Sequence, residues 1–304
     1  MRVLGLDGGG TKTDVAVVEP SGEVVGFVAG AGMDPTAGDG WEDRLAAMVG
    51  PLGAVERAVL GLPYFTEVPA ISARQSAVAV AVLGPGARVL NDVGMAFEGA
   101  LGGSEGVLIL AGTGSMAWAR GPQGVVRAGG FGDVFGDEGS AFWIGREALR
   151  MVSRHLDGRS RAAGFAAGIL AGLGIAGDQL IAWTYGQPRV AVAGVAVLVA
   201  RLAEEGNRDA VALLGRAARE LGDLTRAAMR AAGLARGARW SYAGGVLGNR
   251  AVRGLLEARL GVAPTPPILP PVGGAVLVAA RDAGWDTGAE FVATLARSLR
   301  ERTR

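Results

Sequence analysis

The stretch LGLDGGGTKTDVAVV, residues 4–18, joins two apolar runs through three consecutive glycines. The first run ends at Asp7, and the second follows Asp14. Short apolar runs on either side of a glycine cluster are typical of two β-strands joined by a tight turn. Glycine has no Cβ, so its backbone can take positive φ and approach a ligand closely. The stretch therefore predicts a hairpin whose turn can lie directly against a bound molecule.

The residue types around this turn suit a nucleotide phosphate. Successive backbone N–H groups can form a concavity that binds anions, and the threonines and the chain's only lysine add further donors. A carboxylate at the end of the first strand can hold a hydrated magnesium ion beside the phosphates. A plain hairpin is the alternative, but it requires neither three glycines nor the carboxylate. The residues expected at the nucleotide are Asp7, Gly8, Gly9, Gly10, Thr11, Lys12 and Thr13, with Asp7 also at the metal.

Composition limits the classes of function. The chain has 304 residues and a net charge of +1, so it is long enough for two domains and gives no reason to expect nucleic acid as a partner. It contains no cysteine, which excludes disulfides, cysteine-ligated zinc, iron–sulfur clusters and thiol nucleophiles. The single histidine, His155, falls late in a predicted helix, where a solvated position is expected.

No targeting segment or membrane span is predicted. The N-terminus enters a strand at once, and the most apolar run, 190–200, is bounded by Arg189 and Arg201. That run is much shorter than the ~20 residues that a spanning helix requires. We therefore expect a cytoplasmic protein without a membrane partner.

The order of the predicted elements repeats along the chain. Strand, glycine turn, strand, turn and strand follow one another over 2–29 and again over 106–128. The second glycine turn is Gly112-Thr113-Gly114-Ser115. Two such units predict duplicated halves, each supplying one phosphate-binding hairpin, with the ligand between them. Other strands are predicted over 58–62, 88–90 and 239–242, and helices over 41–49, 69–83, 93–101, 138–156, 190–205, 208–232, 250–260, 272–283 and 289–302.

Asn91-Asp92 stands where a short predicted strand meets a helix. An aspartate at such a place is a common helix N-cap. A carboxylate at a strand end between two phosphate turns also stands where an acceptor alcohol would be presented, and it could act as a general base. We favour the second interpretation.

Two later runs add candidate binding surfaces. The run GGFGDVFGDEGS, residues 129–140, combines glycines, carboxylates and an aromatic ring, which suits a sugar. Asp137 or Glu138 could instead stabilise the start of the predicted helix through its dipole. The run AGGV, 243–246, lacks charges and offers a backbone surface for adenine or ribose, or it is a strand-to-helix turn that requires glycine.

Together these motifs resemble the N-acetylglucosamine kinase family. They are DGGGTKT (7–13), ND (91–92), GTGS (112–115), GGFG (129–132), GDEGSAFWIG (136–145) and AGGV (243–246). The wider family joins amino-sugar kinases to ATPases that activate 2-hydroxyacyl-CoA dehydratases, within the sugar kinase, chaperone and actin superfamily. The resemblance runs in order from residue 2 to about 284, and GDEGSAFWIG is its most specific part.

The resemblance implies an α/β fold of two ribonuclease-H-like domains, the actin-like ATPase fold, with a cleft between them. The expected domains are 1–104 and 105–304, hinged near residue 104, and the last helices can pack back on the first domain. Asp92 matches the catalytic aspartate. Gly112, Thr113, Gly114, Ser115, Gly244 and Gly245 match nucleotide-binding positions. The implied substrate-binding residues are Asp34, Asn91, Asp92, Gly130, Phe131, Gly132 and Asp137.

The implied reaction is ATP- and Mg²⁺-dependent phosphorylation of N-acetylglucosamine at its primary hydroxyl. Asp34 departs from the pattern of the family, because N-acetylglucosamine kinases carry an asparagine at this position. Glucosamine or glucose is therefore the alternative substrate. Asp34 could equally start a turn before Pro35. Dehydratase activators require a cysteine-held iron–sulfur cluster, and glucokinases of the repressor-and-kinase family carry a cysteine-rich zinc motif. The chain has no cysteine for either. A homodimer is expected.

Overall fold

A computed structural model describes residues 1–10, 12–36 and 40–302. In these ranges the strands are β1 (Val3–Gly8), β2 (Lys12–Val18), β3 (Val24–Ala31), β4 (Arg57–Leu62), β5 (Ala87–Asn91), β6 (Gly106–Ala111), β7 (Ser115–Gly121), β8 (Gly124–Gly129) and β9 (Trp240–Ala243). The helices are α1 (Trp41–Val49), α2 (Pro69–Leu83), α3 (Asp92–Leu101), α4 (Ala141–Leu156), α5 (Ala163–Leu173), α6 (Leu180–Thr184), α7 (Arg189–Glu204), α8 (Arg208–Ala231), α9 (Gly245–Gly248), α10 (Arg250–Leu260), α11 (Pro271–Asp282) and α12 (Ala289–Arg302). Short 3-10 helices cover Gly50–Leu52 and Gly177–Gln179. Thr11, a predicted nucleotide ligand, lies outside the described residues.

The chain divides into two units. Unit 1 comprises Met1–Glu105 and Pro266–Arg304, and unit 2 comprises Gly106–Thr265. The sheet of unit 1 has the strand order β3-β2-β1-β4-β5. β2 is antiparallel to β1 and β3, whereas β4 is parallel to β1 and β5 is parallel to β4. The carboxyl ends of β1, β4 and β5 therefore lie at one edge of the sheet, where Asp7 and Asp92 are found.

Helices cover both faces of this sheet, because successive strand residues point to opposite sides. Leu4 of β1 belongs to the same buried cluster as Leu45 of α1. Val3 belongs to the cluster on the other face, with Val276 of α11. Gly5 is required on that face, because a Cβ there would clash with the backbone of Val276.

The predicted domain 105–304 and the observed unit 2 differ in their last part, because residues 266–304 belong to unit 1. The physical reason is α11, which is buried against the sheet of unit 1 and against α3. Gly274 lies so close to the carbonyl oxygen of Met95 in α3 that a Cβ would clash with it. The option that the last helices pack on the first domain is the one observed within the described residues.

Unit 2 repeats the order of the first four strands of unit 1 and has no counterpart of β5 in its sheet, and the repeated strand–turn–strand–turn–strand segment is the one that the sequence predicted. Its sheet has the order β8-β7-β6-β9, with β7 antiparallel to β6 and β8 and with β9 parallel to β6. Val107 and Ile109 of β6 belong to one buried cluster with residues of α4, α5, α7, α8 and α10. In this unit the carboxyl ends of β6 and β9 carry the second glycine turn and the AGGV run.

The helix predicted over 138–156 begins at Ala141 instead. Ser140 is its N-cap, with its hydroxyl accepting a hydrogen bond from the Trp143 N–H at 3.1 Å. Asp137 lies before the helix with a φ of +56°. Neither Asp137 nor Glu138 therefore caps α4, and the alternative role considered for them is wrong.

A helix that crosses a membrane must be both long and apolar. No single helix in the described part of the chain is both long and apolar enough to cross a membrane. The bent pair Ala163–Leu173 and Gly177–Thr184 meets that length and composition only when its two members are taken together.

Candidate active site

The turn after β1 is held by backbone hydrogen bonds on both of its sides. The Gly9 N–H donates to the carbonyl of Lys12 at 3.0 Å, and the Gly9 carbonyl accepts from the Met33 N–H at 3.0 Å. Gly8, Gly9 and Gly10 do not use positive φ, contrary to the expected reason for glycine. Space is the observed reason at Gly8, where a Cβ would lie 2.7 Å from Leu62 Cδ2.

Carboxylates gather beside this turn at the end of the sheet. Asp7 and Asp14 are direct neighbours across the β1–β2 pair. Lys12 Nζ lies 2.9 Å from Asp14 Oδ2, whereas Asp14 Oδ1 is buried and has no hydrogen-bond partner among the described residues. Burial, followed by the charges of Asp92 and Asp14, raises the pKa of Asp7 to about 7, against the opposing effect of Lys12.

These residues fit a magnesium ion. Burial and like charges hold the pKa of Asp7 near 7, and Asp14 Oδ1 beside it is an acceptor that no described residue uses. A divalent cation would stabilise the charged carboxylates. Within the described ranges no group of three or more His, Cys, Asp or Glu side chains is gathered as a complete metal site. Mg²⁺ commonly binds through one or two carboxylates together with water and phosphate oxygens, so this donor set is sufficient.

Asp92 is the first residue of α3, at the same edge of the sheet. Burial has the largest effect on the pKa of the Asp92 carboxyl and raises it. The Val93 N–H, which donates to Asp92 Oδ1 at 2.9 Å, lowers this pKa, and the charge of Glu67 raises it. The N-cap is Asn91, whose Oδ1 accepts from the Val93 N–H at 3.0 Å and whose Nδ2 donates to the Phe65 carbonyl at 3.1 Å. The capping role considered for Asp92 therefore belongs to Asn91.

Thr13 and Asp34 are placed differently from each other in unit 1. The hydroxyl of Thr13 is buried and donates to the Ala31 carbonyl at 2.8 Å, so it stabilises the β2–β3 pair, and its contact with a nucleotide stays a prediction. Asp34 Oδ1 accepts from the Thr36 N–H at 2.8 Å and from its hydroxyl at 2.7 Å. This is the turn that the alternative interpretation described. A sugar contact of Asp34 stays a prediction.

The loop between β4 and α2 is a feature that sequence reasoning missed. Tyr64 and Thr66 have φ values of +63° and +70°, a conformation that costs energy in residues other than glycine. Gln75 Nε2 donates to the Pro63 carbonyl at 2.9 Å, and Asn91 binds the Phe65 carbonyl. The loop is therefore fixed beside Asp92, and no residue type in it signals positive φ.

In unit 2, the turn after β6 is held by the start of α4. The Gly112 N–H donates to the Gly114 carbonyl at 2.9 Å, and the Ala141 N–H donates to the Gly112 carbonyl at 2.8 Å. Among the described residues, the N–H groups of Thr113 and Gly114 have no backbone or side-chain acceptor. Thr113 is exposed. These donors are available to an anion.

This turn borders a cavity of about 440 Å³. The cavity is lined by Gly112, Thr113, Ala141, Ile144, Ala193, Ala196, Val197, Ala200, Leu214, Gly245, Val246, Asn249 and Val252. The structure thus brings together the second glycine turn and the AGGV run, the two segments of unit 2 that were predicted to bind the nucleotide. Gly244 has a φ of +93° and lies so close to the Ala111 carbonyl that a Cβ would clash. The face of α7 was missed, because alanines at helical spacing are typical of any packed helix.

Asp137 connects this turn to α7. Its carboxylate is buried, with Oδ1 accepting from the Ser115 N–H at 3.1 Å and Oδ2 paired with Arg189 Nη2. Gly114 makes room for it, since a Cβ there would lie 3.0 Å from Asp137 Oδ1. Arg189 Nε also lies 3.8 Å from Asp133 Oδ2. Sequence reasoning missed Arg189 because it is 52 residues from its partner.

The predicted sugar-binding glycines lie around an exposed ring. Gly130 and Gly132 have φ values of +75° and +85°, and Phe131 between them is 66% exposed. The guanidinium of Arg127 lies 5.7 Å from the centre of the Phe131 ring and donates to the Gly130 carbonyl at 3.1 Å. The ring therefore has an accessible face, which suits the C–H face of a sugar.

Comparison with known proteins gives a family match over most of the chain. The model of the BadF/BadG/BcrA/BcrD ATPase family matches residues 4–279. A curated N-acetylmuramic acid/N-acetylglucosamine kinase of Clostridium acetobutylicum is 38% identical over 72 residues. That stretch is 23% of this chain and 24% of the relative. The match thus spans about a quarter of the length of that relative.

Solved structures share the fold over nearly their full length. A candidate N-acetylglucosamine kinase from Chromobacterium violaceum is 26% identical, with a TM-score of 0.73 over 91% of this chain and 98% of that one. One from Porphyromonas gingivalis is 18% identical, with a TM-score of 0.65 over 93% and 99%. A ROK family glucokinase from Streptomyces griseus is 17% identical, with a TM-score of 0.55 over 92% and 99%. The predicted α/β class with an actin-like ATPase fold is confirmed.

Proposed function

Because the chain belongs to the BadF/BadG/BcrA/BcrD ATPase family, we propose that it is an ATP-dependent sugar kinase. Its acceptor is the primary hydroxyl of an amino sugar, and N-acetylglucosamine, giving the 6-phosphate, is the first candidate. Support comes from the motifs in the sequence and from the structural relative at 26% identity, a candidate N-acetylglucosamine kinase.

The observation that carries this proposal is the position of Asp92 together with the raised pKa of its carboxyl. It stands at the carboxyl end of a parallel strand, and burial raises the pKa of its carboxyl. A carboxylate whose pKa is raised accepts a proton more readily than one with the ordinary value. Asp92 would take the hydroxyl proton of the sugar as the new bond to phosphorus forms.

The groups of unit 2 would bind the nucleotide. A cavity of about 440 Å³ with a largely apolar lining suits adenosine. The free N–H groups of Thr113 and Gly114 would donate to phosphate oxygens. Backbone donors fixed in advance stabilise developing charge without having to reorganise.

Asp7 and Asp14 would hold the magnesium ion. When bound, Mg²⁺ neutralises charge on the phosphates during transfer. Before the ion binds, Lys12 neutralises one oxygen of Asp14, and Asp7, whose pKa is about 7, is about half protonated near pH 7, so the ion would displace that proton.

A second candidate function is a glucosamine or glucose kinase. The observation that favours it is the carboxylate of Asp34, at the place where the related kinases carry an asparagine. A carboxylate attracts the free ammonium of glucosamine, and only one of its oxygens is bound by Thr36. N-acetylmuramic acid enters the same test because the curated relative is described as its kinase.

Dehydratase activation is the other activity that the resemblance names. An activator requires cysteines for its iron–sulfur cluster, and this chain has none. We therefore do not propose it.

A sugar panel tests the proposal. The purified protein is mixed with ATP, Mg²⁺ and one of N-acetylglucosamine, glucosamine, N-acetylmuramic acid or glucose, and ADP release is followed. We expect the highest kcat/KM with N-acetylglucosamine, and a higher value with glucosamine would favour the second candidate. ADP release that no sugar accelerates would contradict both.

A further inference from the structure

Unit 2 has a second cavity that the proposed reaction does not use. Its volume is about 480 Å³. It is lined by Arg226, Met229, Arg230, Leu234, Ala235, Arg236, Gly237, Arg259 and Leu260. Four of these nine residues are arginines, and they come from the last part of α8, from the connection to β9 and from the end of α10.

The positive charge of this cavity is only partly compensated. Arg259 Nη2 lies 2.9 Å from Asp223 Oδ1, and Arg226 Nη1 lies 3.4 Å from the same oxygen. In the part of the chain that the structure describes, Arg230 and Arg236 have neither an ion pair nor a hydrogen bond through their side chains. Four guanidinium groups therefore share one paired carboxylate.

Two of the arginines are held in place. Arg226 Nη2 donates to the Arg259 carbonyl at 2.6 Å. The stem of Arg259 packs on Gly222, where a Cβ would lie 2.7 Å from Arg259 Cδ. Its Nε is buried without a hydrogen-bond partner among the described residues. Cations that are already fixed favour an anionic ligand, because little of their side-chain entropy is lost on binding.

Helix dipoles explain only part of this arrangement. Arg230 and Arg259 lie in the last turns of α8 and α10, where positive side chains are favoured. Arg236 lies in a connection outside any helix. The dipole also gives no reason for Arg226, Arg230, Arg236 and Arg259 to border one cavity.

We propose that this arginine cavity binds a small organic phosphate with at least two negative charges. Guanidinium groups bind phosphate oxygens through paired, charge-assisted hydrogen bonds. The cavity is larger than one phosphate group requires, which leaves room for an organic part. The connection that lines it, 234–237, precedes β9, whereas Gly245, which lines the nucleotide cavity, follows β9. The two cavities thus lie at opposite ends of that strand, and the proposal does not depend on the kinase activity.

Calorimetry with inorganic pyrophosphate tests the site. The titration is made without divalent metal and with adenosine at saturation, which fills the nucleotide cavity without supplying a phosphate that could compete for the arginines. We expect one pyrophosphate per chain, and a Kd at least ~10-fold weaker in the double variant Arg230→Ala, Arg236→Ala. The matched control is Arg208→Ala, Arg219→Ala, which removes the same charge from α8 away from the cavity. The absence of binding, or an equal loss in both variants, would overturn the proposal.

Chemical modification gives a second readout on the unaltered protein. Phenylglyoxal reacts with accessible arginines, and mass spectrometry identifies the modified positions. Pyrophosphate should slow the modification of Arg230 and Arg236 but not that of Arg208 and Arg219. Equal protection of all four would show nonspecific attraction and would overturn the site even if a variant failed to fold.

Discussion

The glycine turns after β1 and β6 occupy the same place in two sheets that share the order of four strands, but they carry different chemistry. β1 brings Asp7 to its turn, with a pKa of about 7 and Asp14 as its cross-strand neighbour. β6 ends at Ala111, and its turn borders the cavity of about 440 Å³. The same arrangement of strands, used twice, thus provides a charged turn in unit 1 and, in unit 2, a turn beside the cavity that we propose for the nucleotide. The side chain at the strand end decides between them.

The glycines near these two turns also meet different physical requirements. Gly8 is needed for packing against Leu62 and has no positive φ, whereas Gly244 beside the second turn has positive φ and contacts Ala111. A glycine pattern therefore marks a turn without stating which physical requirement it meets. Each turn can be tested by a change that should leave the other intact.

The largest expected effect comes from removing the base of unit 1. Asp92→Asn should lower kcat for sugar phosphorylation by ~10²–10⁴-fold, because asparagine cannot accept the proton. The fold should survive, since Asn91 provides the cap of α3. Steady-state kinetics measures the loss, and calorimetry with an ATP analogue should show nearly unchanged affinity in unit 2. Retention of more than about a tenth of wild-type kcat would remove Asp92 from the role assigned to it.

The second prediction concerns the pH dependence of stability in unit 1. The pKa of Asp7 is about 7 in the folded protein and close to 3.8 when exposed, so the folded state holds the proton more tightly. Its contribution to the free energy of unfolding should therefore fall as pH rises from about 4 to about 7, and it should stay constant above. Between pH 5 and pH 8 the fall is on the order of 2.5 kcal/mol in metal-free protein.

Urea unfolding at the two pH values in EDTA measures this difference. Asp7→Asn is the matched variant, because it keeps the shape and removes the titration. Subtracting its pH dependence from that of the wild type isolates Asp7. A wild type that loses no more stability than the variant would show that the carboxyl is solvated.

The third prediction compares the glycines of the two units. Gly244→Ala should weaken binding of an ATP analogue by ~10-fold or more, because the Cβ would clash with the Ala111 carbonyl and positive φ disfavours alanine. Gly248→Ala is the control in the same segment, since its Cβ would meet nothing within 4 Å. Gly9→Ala should have a smaller effect, because its Cβ would meet only the Lys12 carbonyl at 3.3 Å. Calorimetry and circular dichroism separate affinity from folding, and equal affinities for Gly244→Ala and Gly248→Ala would refute the assignment.

The smallest effect is expected from the link between the second turn and α7. Arg189→Gln leaves the buried Asp137 carboxylate without its cation, so both the turn and α7 should lose a fixed contact. We expect kcat/KM for the sugar to fall by ~10-fold, with a measurable rise in the Kd of the nucleotide. Arg201→Gln, on the same helix with an exposed partner, is the control. If the two variants behave alike, the Asp137 pair is not part of the site.

Much of the fold was predictable because local signals agree with it. The helices α1, α2, α10 and α12 and the strand β6 have the predicted bounds, since proline, glycine and apolar spacing mark their ends. α5 was missed because AGFAAGILAGL is apolar on every face and shows no periodicity. The start of α4 was misplaced because Ser140, and not the preceding carboxylates, provides the cap.

The candidate site was predictable where one short motif supplies the geometry. Asp92 and the turns at 112–115 and 243–246 follow strands directly, so their places at the sheet edges come from sequence order. Arg189 and the alanine face of α7 depend on tertiary packing, which no local pattern encodes. The left-handed backbone at Tyr64 and Thr66 was missed for the same reason, because neighbouring contacts impose it.

The most direct test of the kinase assignment is a phosphorus balance. ³¹P NMR of a reaction with ATP, Mg²⁺ and N-acetylglucosamine separates a sugar phosphomonoester from inorganic phosphate. We expect one sugar 6-phosphate for each ADP formed, and the loss of both in Asp92→Asn. Stoichiometric inorganic phosphate, formed at the same rate with and without each sugar of the panel, would contradict the kinase assignment and would leave an ATPase.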